Sequence, residues 1–510
     1  MVLQRNKPIR IAGETDCSQT LEVLLNHVVI TQAVVEAGCF TLIIPSQKAA
    51  EDVTLTISGS SGDVITYTSV DIGEVWIAGG QSNMELLMKY TANADDIISV
   101  ANDPHFRLYS VAQWAFEGEE SEGFKNTSLW DYWMHWTPEN APFFSATASY
   151  FALHLRKTLG VPVGIINCTY GGTSAVTWLD VDYLIKDEDL KTYFDTYEQG
   201  LAKMDIEEHL SFSYKMRETM NTPEALEQRE LVSLRKIEPP SFDPSVIAQN
   251  PEQLKNLQAM MRLFTEIGPT SPNRPGGLYK TMVKKIAGYT CCGFIWYQGE
   301  TDFDKGETYQ KLFSALIACW RRDWKCNEND LLPFLFVQLA PFGTWRGLDG
   351  ARFPVIREAQ ERVSKTVPNT WMASIMDVGD PLDIHPLHKQ PVGYRLALLA
   401  LGKVYSQRVL CEAPELVNID ITKGQLTLHF AHSGDGLYLI GANINALELH
   451  LNGKIATDFT FVVDGSKVQI YNKYIESKVH VEVRYACVGY CDVNLYNSAN
   501  LAAKPFKWSN

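Results

Sequence analysis

Along the chain the spacing of apolar positions changes character twice. Over residues 1 to about 70, polar and β-branched residues alternate ("LEVLLNHVVI", "FTLIIP", "DVTLTISG", "DVITYTSV") between Gly, Ser and Asp turns. That pattern predicts an antiparallel β module. From about 71 to 408, short apolar runs alternate with helical patterns, the signature of a parallel α/β domain. Five runs are candidate central strands: "EVWIAG" at 74–79, "VPVGIINC" at 161–168, "GFIWYQ" at 293–298, "PFLFVQLA" at 333–340 and "TWMASIMD" at 370–377. Each is rich in β-formers, as strands covered on both faces should be. Between the second and third, residues 181–270 carry Glu, Lys, Leu and Met in helical patterns. They read as a helical insertion, a surface appendage with solvated charged faces rather than a substrate lid. Residues 409–510 return to β patterns with the turn spacing of a sandwich.

In a parallel sheet, ligands bind where the loops after the strands converge, so the polar residues that follow these runs are the ones to inspect. After the first run comes "GGQSNMELLMKY": the strand stops at Ala78 and a helix starts by Glu85, which leaves Ser82 on the turn as either a cap or a nucleophile. After the second, Gly171 and Gly172 can bring a backbone N–H close to a substrate oxygen. After the third, Gln298 can donate to a developing oxyanion, and Glu300 can accept from a histidine or a substrate hydroxyl. The fifth is followed by "DVGDPLDIHPLHK", where Asp377, Asp380, Asp383, His385 and His388 crowd into twelve residues. Histidine suits general-base work near neutral pH, and Asp383 is placed to orient His385. A zinc site is the rival use of such residues, but no HExxH or HxH spacing occurs and a serine is at hand, so no metal is expected.

Charge narrows the choice of partner. The 510-residue chain carries 45 basic and 60 acidic side chains, a net charge of -15, with no basic cluster. Neither nucleic acid nor an anionic membrane surface is an expected partner. No apolar stretch reaches the roughly 18 residues of a membrane span. The N-terminus has charges where a signal peptide has an apolar core, so the chain reads as cytoplasmic as encoded. The 10 cysteines, including the pairs Cys291/Cys292 and Cys487/Cys491, lack metal or redox spacing and read as free thiols. Glycosylation-type triplets at Asn126 and Asn167 complete the motifs.

Taken together, "GEVWIAGGQSNMELLM", "YGGTSAVTWL", "RPGGLYKTMV", "GFIWYQGETD", "DIHPLHKQPVGYRLALLAL" and "NLYNSANLAAKPF" resemble the sialate O-acetylesterase family of SGNH hydrolases. The resemblance implies a flavodoxin-like α/β/α hydrolase domain at 71–408, flanked by β-sandwich-like modules at 1–70 and 409–510. It implies cleavage of acetyl esters from sugars without a cofactor, often on exported material. Carried over residue by residue, it makes Ser82 the nucleophile and His385 the base. The oxyanion donors would be the Ser82 amide, Gly171 or Gly172, and Gln298, which stands where many SGNH enzymes have asparagine. Many members place Asp three residues before the histidine, where this chain has Leu382; Asp383 is the expected acid, with Glu300 and Asp380 as the alternatives. The GxSxG elbow of α/β hydrolases is absent. Acetylated xylan is the alternative substrate, and a non-catalytic carbohydrate-binding protein the alternative of another class. Trp178, Trp296 and Trp345 are candidates for stacking on sugar rings.

Overall fold

The computed structural model describes residues 1–119, 132–237, 251–326, 330–476 and 478–510. The triplet at Asn126 lies outside them. The chain forms two compact units, Met1–Trp296 with Lys311–Phe334, and Tyr297–Gln310 with Leu335–Asn510.

The first unit begins with antiparallel pairs: Gln19–Leu25 with both Val28–Val35 and Ala50–Gly59, and Ile9–Thr15 with Gly38–Ile44. Alternation does what the sequence pattern asks: Leu21, Val23, Leu42, Ile44, Val53 and Leu55 share one buried core. The strand Val64–Gly80 then carries the chain onward. Its first half pairs antiparallel with Ala50–Gly59, and its second half pairs parallel with Val163–Thr169, Glu74 opposite Val163 and Gly80 opposite Thr169. Its burial changes accordingly, from exposed over 64–68 to fully buried over 70–80, because only the second half is covered on both faces. Residue 70 therefore falls inside one strand.

Within this unit the strand order is Gly293–Tyr297, Val64–Gly80, Val163–Thr169, Asp103–Ser110 and Met134–Trp136, with the last pair antiparallel. The last two strands escaped the sequence pattern. "DPHFRLYS" buries the charged Arg107, which breaks the apolar run that marks a central strand. The insertion is helical as expected, with helices Val181–Ile185, Glu188–Leu201, Ile206–Met220, Pro223–Ser233 and Pro251–Thr265.

In the second unit, Phe334–Val337 and Thr370–Ala373 are neighbouring strands. Both are shorter than their apolar runs. Past Val337 the Leu339 N–H goes to the Gln360 side chain at 2.9 Å instead of to a strand. The C-terminal residues form two four-stranded antiparallel sheets around one core that includes Leu426, Leu428, Leu449, Ile470, Val481 and Val483. All ten cysteines are free thiols, with Cys168, Cys291, Cys292 and Cys319 buried.

Candidate active site

The turn at Ser82 is built by close packing. Gly79 ends the strand where a Cβ would meet Trp320 at 2.8 Å and Trp296 at 2.9 Å, and Gly80 takes φ +134°. Only glycine fits both demands. The strand thus continues to Gly80, two residues beyond Ala78, because the parallel ladder runs to Thr169. Ser82 is not a cap. Gln81 holds that position and Ser82 opens a helix of only four residues, Ser82–Glu85. The longer helix expected through Tyr90 does not form, because the chain entering the helix Ala146–Leu159 takes its carbonyls. Ser145 Oγ donates to Met84 O at 2.6 Å, Thr147 Oγ1 to Asn83 O at 3.2 Å, and the Ala146 N–H to Leu86 O at 2.9 Å. Ser82 itself stays partly open to solvent.

Gly171 lies against this turn. A Cβ there would sit 3.5 Å from Ser82 Cβ and 3.1 Å from Glu85 Oε2, so glycine lets the backbone come close to the serine. Gly172 takes φ +69°. Glu85 is a neighbour the sequence reading missed. Gln113 Nε2 bridges its carboxylate, at 3.0 Å, and Thr169 O, at 2.8 Å. Burial pushes the Tyr170 hydroxyl up to about 12, with Arg217 acting against the shift and Glu119 and Glu85 adding to it. Arg217 belongs to the insertion helix Ile206–Met220 and is paired with Glu119. A second insertion helix supplies Glu230, which pairs with Lys89 at 2.7 Å and accepts from the Tyr90 hydroxyl. Two insertion helices are thus tied to residues near the serine turn, while most of their side chains stay exposed or half-buried.

In the second unit Gln298 is fully buried. Its Nε2 donates to Asp302 Oδ2 at 2.6 Å, and its Oε1 accepts from the Tyr309 hydroxyl at 2.9 Å. Asp302, four residues downstream in "QGETD", is a holder the sequence reading passed over; a polar residue a helical turn beyond a candidate donor was its only signal. Glu300 is 5% exposed, in the short helix Glu300–Lys305.

The loop bearing His385 is built on carboxylates, and the structure separates their roles. Asp377 forms a bidentate pair with Arg395, at 2.5 and 2.7 Å, and so fixes the start of the loop. Asp380 Oδ1 accepts from the Leu382 and Asp383 N–H groups, at 2.8 and 3.1 Å, and shapes the turn. Asp383 Oδ1 accepts from the His385 N–H at 2.9 Å and lies 3.4 Å from His385 Nδ1. That is slightly long for a hydrogen bond, as is common before substrate tightens a site. The rings of Trp345 and His385 meet edge to face, 5.3 Å between centroids. His388 is exposed.

Of the three tryptophans, Trp178 and Trp296 are fully buried and pack edge to face at 5.9 Å, so neither can stack on a sugar. Trp345 remains partly open. Among the described residues one group has the ligand chemistry for a metal, Asp52, Asp71 and His105, away from the expected residues in sequence. Its carboxylates surround a guanidinium instead: Arg107 Nη2 is 2.8 Å from Asp71 and 3.6 Å from Asp52.

This architecture is that of a sugar-esterase structure. The chain aligns over 99% of its length, and 96% of the other's, with a crystal structure of a carbohydrate acetylesterase from Xanthomonas citri, at a TM-score of 0.72 and 26% identity. Residues 265–407 match the family described as carbohydrate esterase, sialic acid-specific acetylesterase. Sialate O-acetylesterases of Mus musculus and Homo sapiens are 25% and 26% identical over 73% and 70% of this chain. The chain spans less than two thirds of their length, 64% and 59%.

Proposed function

We propose that this protein is a carboxylic ester hydrolase that removes O-acetyl groups from sugars, sialic acid foremost, through an acetyl-serine intermediate. The observation that carries this reading is the Asp383–His385 couple, with its 3.4 Å carboxylate-to-imidazole approach, inside the segment that matches the esterase family. We read 71–408 as an SGNH hydrolase domain with a flavodoxin-like sheet, braced by β modules at 1–70 and 409–510.

His385 takes the Ser82 hydroxyl proton as Ser82 Oγ attacks the acetyl carbonyl. The oxyanion is held by the Ser82 and Gly171 or Gly172 amides and by Gln298. The tetrahedral intermediate collapses as His385 returns the proton to the departing sugar hydroxyl. Water then attacks the acetyl-serine by the same route, giving acetate and free Ser82. Asp383 orients the imidazole and stabilises its charged form. These side chains supply every proton transfer, and the reading calls for no cofactor.

Acetate release from 9-O-acetylated sialic acid and from acetylated xylo-oligosaccharide, by wild type and Ser82→Ala side by side, tests the proposal. Release from the sialic acid should fall by about 10⁴-fold or more in the variant. Full activity in Ser82→Ala would end the serine mechanism. Release from the xylan fragment alone would move the substrate to plant polysaccharide.

A further inference from the structure

We propose that Asn273 is a positioning residue that clamps the Gly171–Gly172 turn and so holds the turn's oxyanion-binding N–H in place. This rests on the serine-esterase reading and adds to it a residue that acts through the turn.

The need arises in the turn itself. Glycine leaves the backbone more freedom than any other residue, and Gly172 sits at φ +69°, so two glycines in succession keep one geometry only where neighbours impose it. An oxyanion donor works by being in place before the charge develops. On the entry side the parallel ladder supplies that order: Thr169 lies opposite Gly80, and the Tyr170 N–H still reaches Gly80 O at 3.1 Å. Past the glycines the ladder has ended.

Asn273 takes over there. Its Nδ2 donates to Gly172 O at 3.0 Å, and its Oδ1 accepts from the Ser174 N–H at 2.9 Å. In extended chain the carbonyl of one residue and the N–H two residues on point the same way, so one side-chain amide meets both as a neighbouring strand would. Turned over, that amide would set N–H against N–H and oxygen against oxygen. The two contacts therefore specify an amide in one orientation. With the ladder at one end and Asn273 at the other, the Gly171 and Gly172 N–H groups are pinned between two fixed points.

The clamp has a firm base. Asn273 stands between Pro272 and Pro275, whose rings restrict the backbone around it. Its own N–H goes to Ser271 Oγ at 3.2 Å, Pro272 O accepts from Thr177 Oγ1 at 2.7 Å, and the Gly276 N–H donates to Val176 O at 3.1 Å. The buried Arg274 side chain donates to Ala115 O at 2.6 Å and Pro269 O at 3.0 Å. Residues 271–276 are thus stitched along 172–177, as a support that must hold a site to a fraction of an ångström should be. A carboxamide carries no proton at working pH, so Asn273 acts by placing the turn.

The test measures acetate release from 9-O-acetylated sialic acid and binding of methylboronic acid in wild type, Asn273→Leu and Asn273→Asp. The boronate adds to a serine hydroxyl and copies the tetrahedral intermediate without turnover. Asn273→Leu keeps the volume and removes both bonds. Its kcat should fall roughly tenfold to a hundredfold, within the cost of losing one oxyanion donor, with KM nearly unchanged and boronate binding weakened in step with kcat. Asn273→Asp gives a readout that poor folding cannot imitate. Ionised, it turns a charge on Gly172 O; protonated, it regains a donor, so its kcat relative to wild type should rise as pH falls from about 7 to 4. An unchanged kcat in Asn273→Leu, a loss carried by KM alone, or a flat Asn273→Asp ratio overturns the proposal. If Asn273→Leu does not fold, the Asn273→Asp ratio decides. If wild type releases no acetate the esterase reading fails on its own, and boronate binding decides this one: weakened in Asn273→Leu it stands, indifferent to the variant or absent it falls.

Discussion

Ser82 and His385 are displayed by opposite means. The serine turn is fixed by volume and backbone: Gly79 fitted against Trp296 and Trp320, Gly80 at φ +134°, a four-residue helix, and carbonyls taken by the next helix. The histidine loop is fixed by charge: Asp377 on Arg395, Asp380 on two backbone N–H groups, Asp383 on the histidine's own N–H and beside its ring. The difference matches the work proposed for each residue. A nucleophile needs a fixed position, which dense packing supplies. A base needs a partner for the charge it gains, which packing alone cannot supply.

The largest expected effect breaks the charged side. Asp383→Asn should lower kcat for acetate release by roughly 10²- to 10⁴-fold, because the imidazole loses the carboxylate that orients it and balances its charge. Asp380→Asn should cost tenfold or less, since an amide oxygen can accept the same two backbone bonds. Glu300→Gln completes the set. If either of these loses more than Asp383→Asn, with melting temperatures alike, the acid has been misassigned.

A smaller effect breaks the packed side. Gly79→Ala places a methyl 2.8 to 2.9 Å from two indoles inside the core, where nothing flexible can yield. Stability should fall by about 1–3 kcal/mol, seen as a lower midpoint in urea. Unchanged stability would mean the turn is looser than its packing suggests.

The same contrast decides what could be read from the chain. The strand bearing Ser82 was legible because burial on both faces leaves an unbroken apolar run, and "GGQS" stops it with residues of unmistakable backbone demands. The roles of Asp377, Asp380 and Asp383 were not, since three aspartates in one loop look alike until the fold shows what each touches. The same holds for Glu85, whose partner Gln113 is brought to it by chain folding across tens of residues. Arg107 hid a central strand outright, because a buried cation breaks the pattern that announces one. The helix that ends at Glu85 was misjudged because its stop signal lies in residues 145–147.

The smallest effect sharpens the comparison by using pH. Glu415, in the second unit, accepts from Lys365 at 2.8 Å and Lys504 at 2.5 Å. Burial alone would raise its carboxyl; the two ammonium groups overcome that and hold it at about 2, against an ordinary 4.5. A folded-state pKa below the unfolded one gives stability that is present above the unfolded value and fades as pH falls toward the folded one. Glu415 should therefore contribute about 2 kcal/mol near neutrality, after allowance for its partial exposure. That contribution should fade between about pH 4.5 and 2. Glu415→Gln lacks it throughout, so urea midpoints of variant and wild type should differ at pH 7 and converge toward pH 3. The gap opened by Gly79→Ala, which involves no titrating group, should persist over the same range. If the Glu415→Gln gap also persists, the second unit owes less to charge than its ion pairs imply.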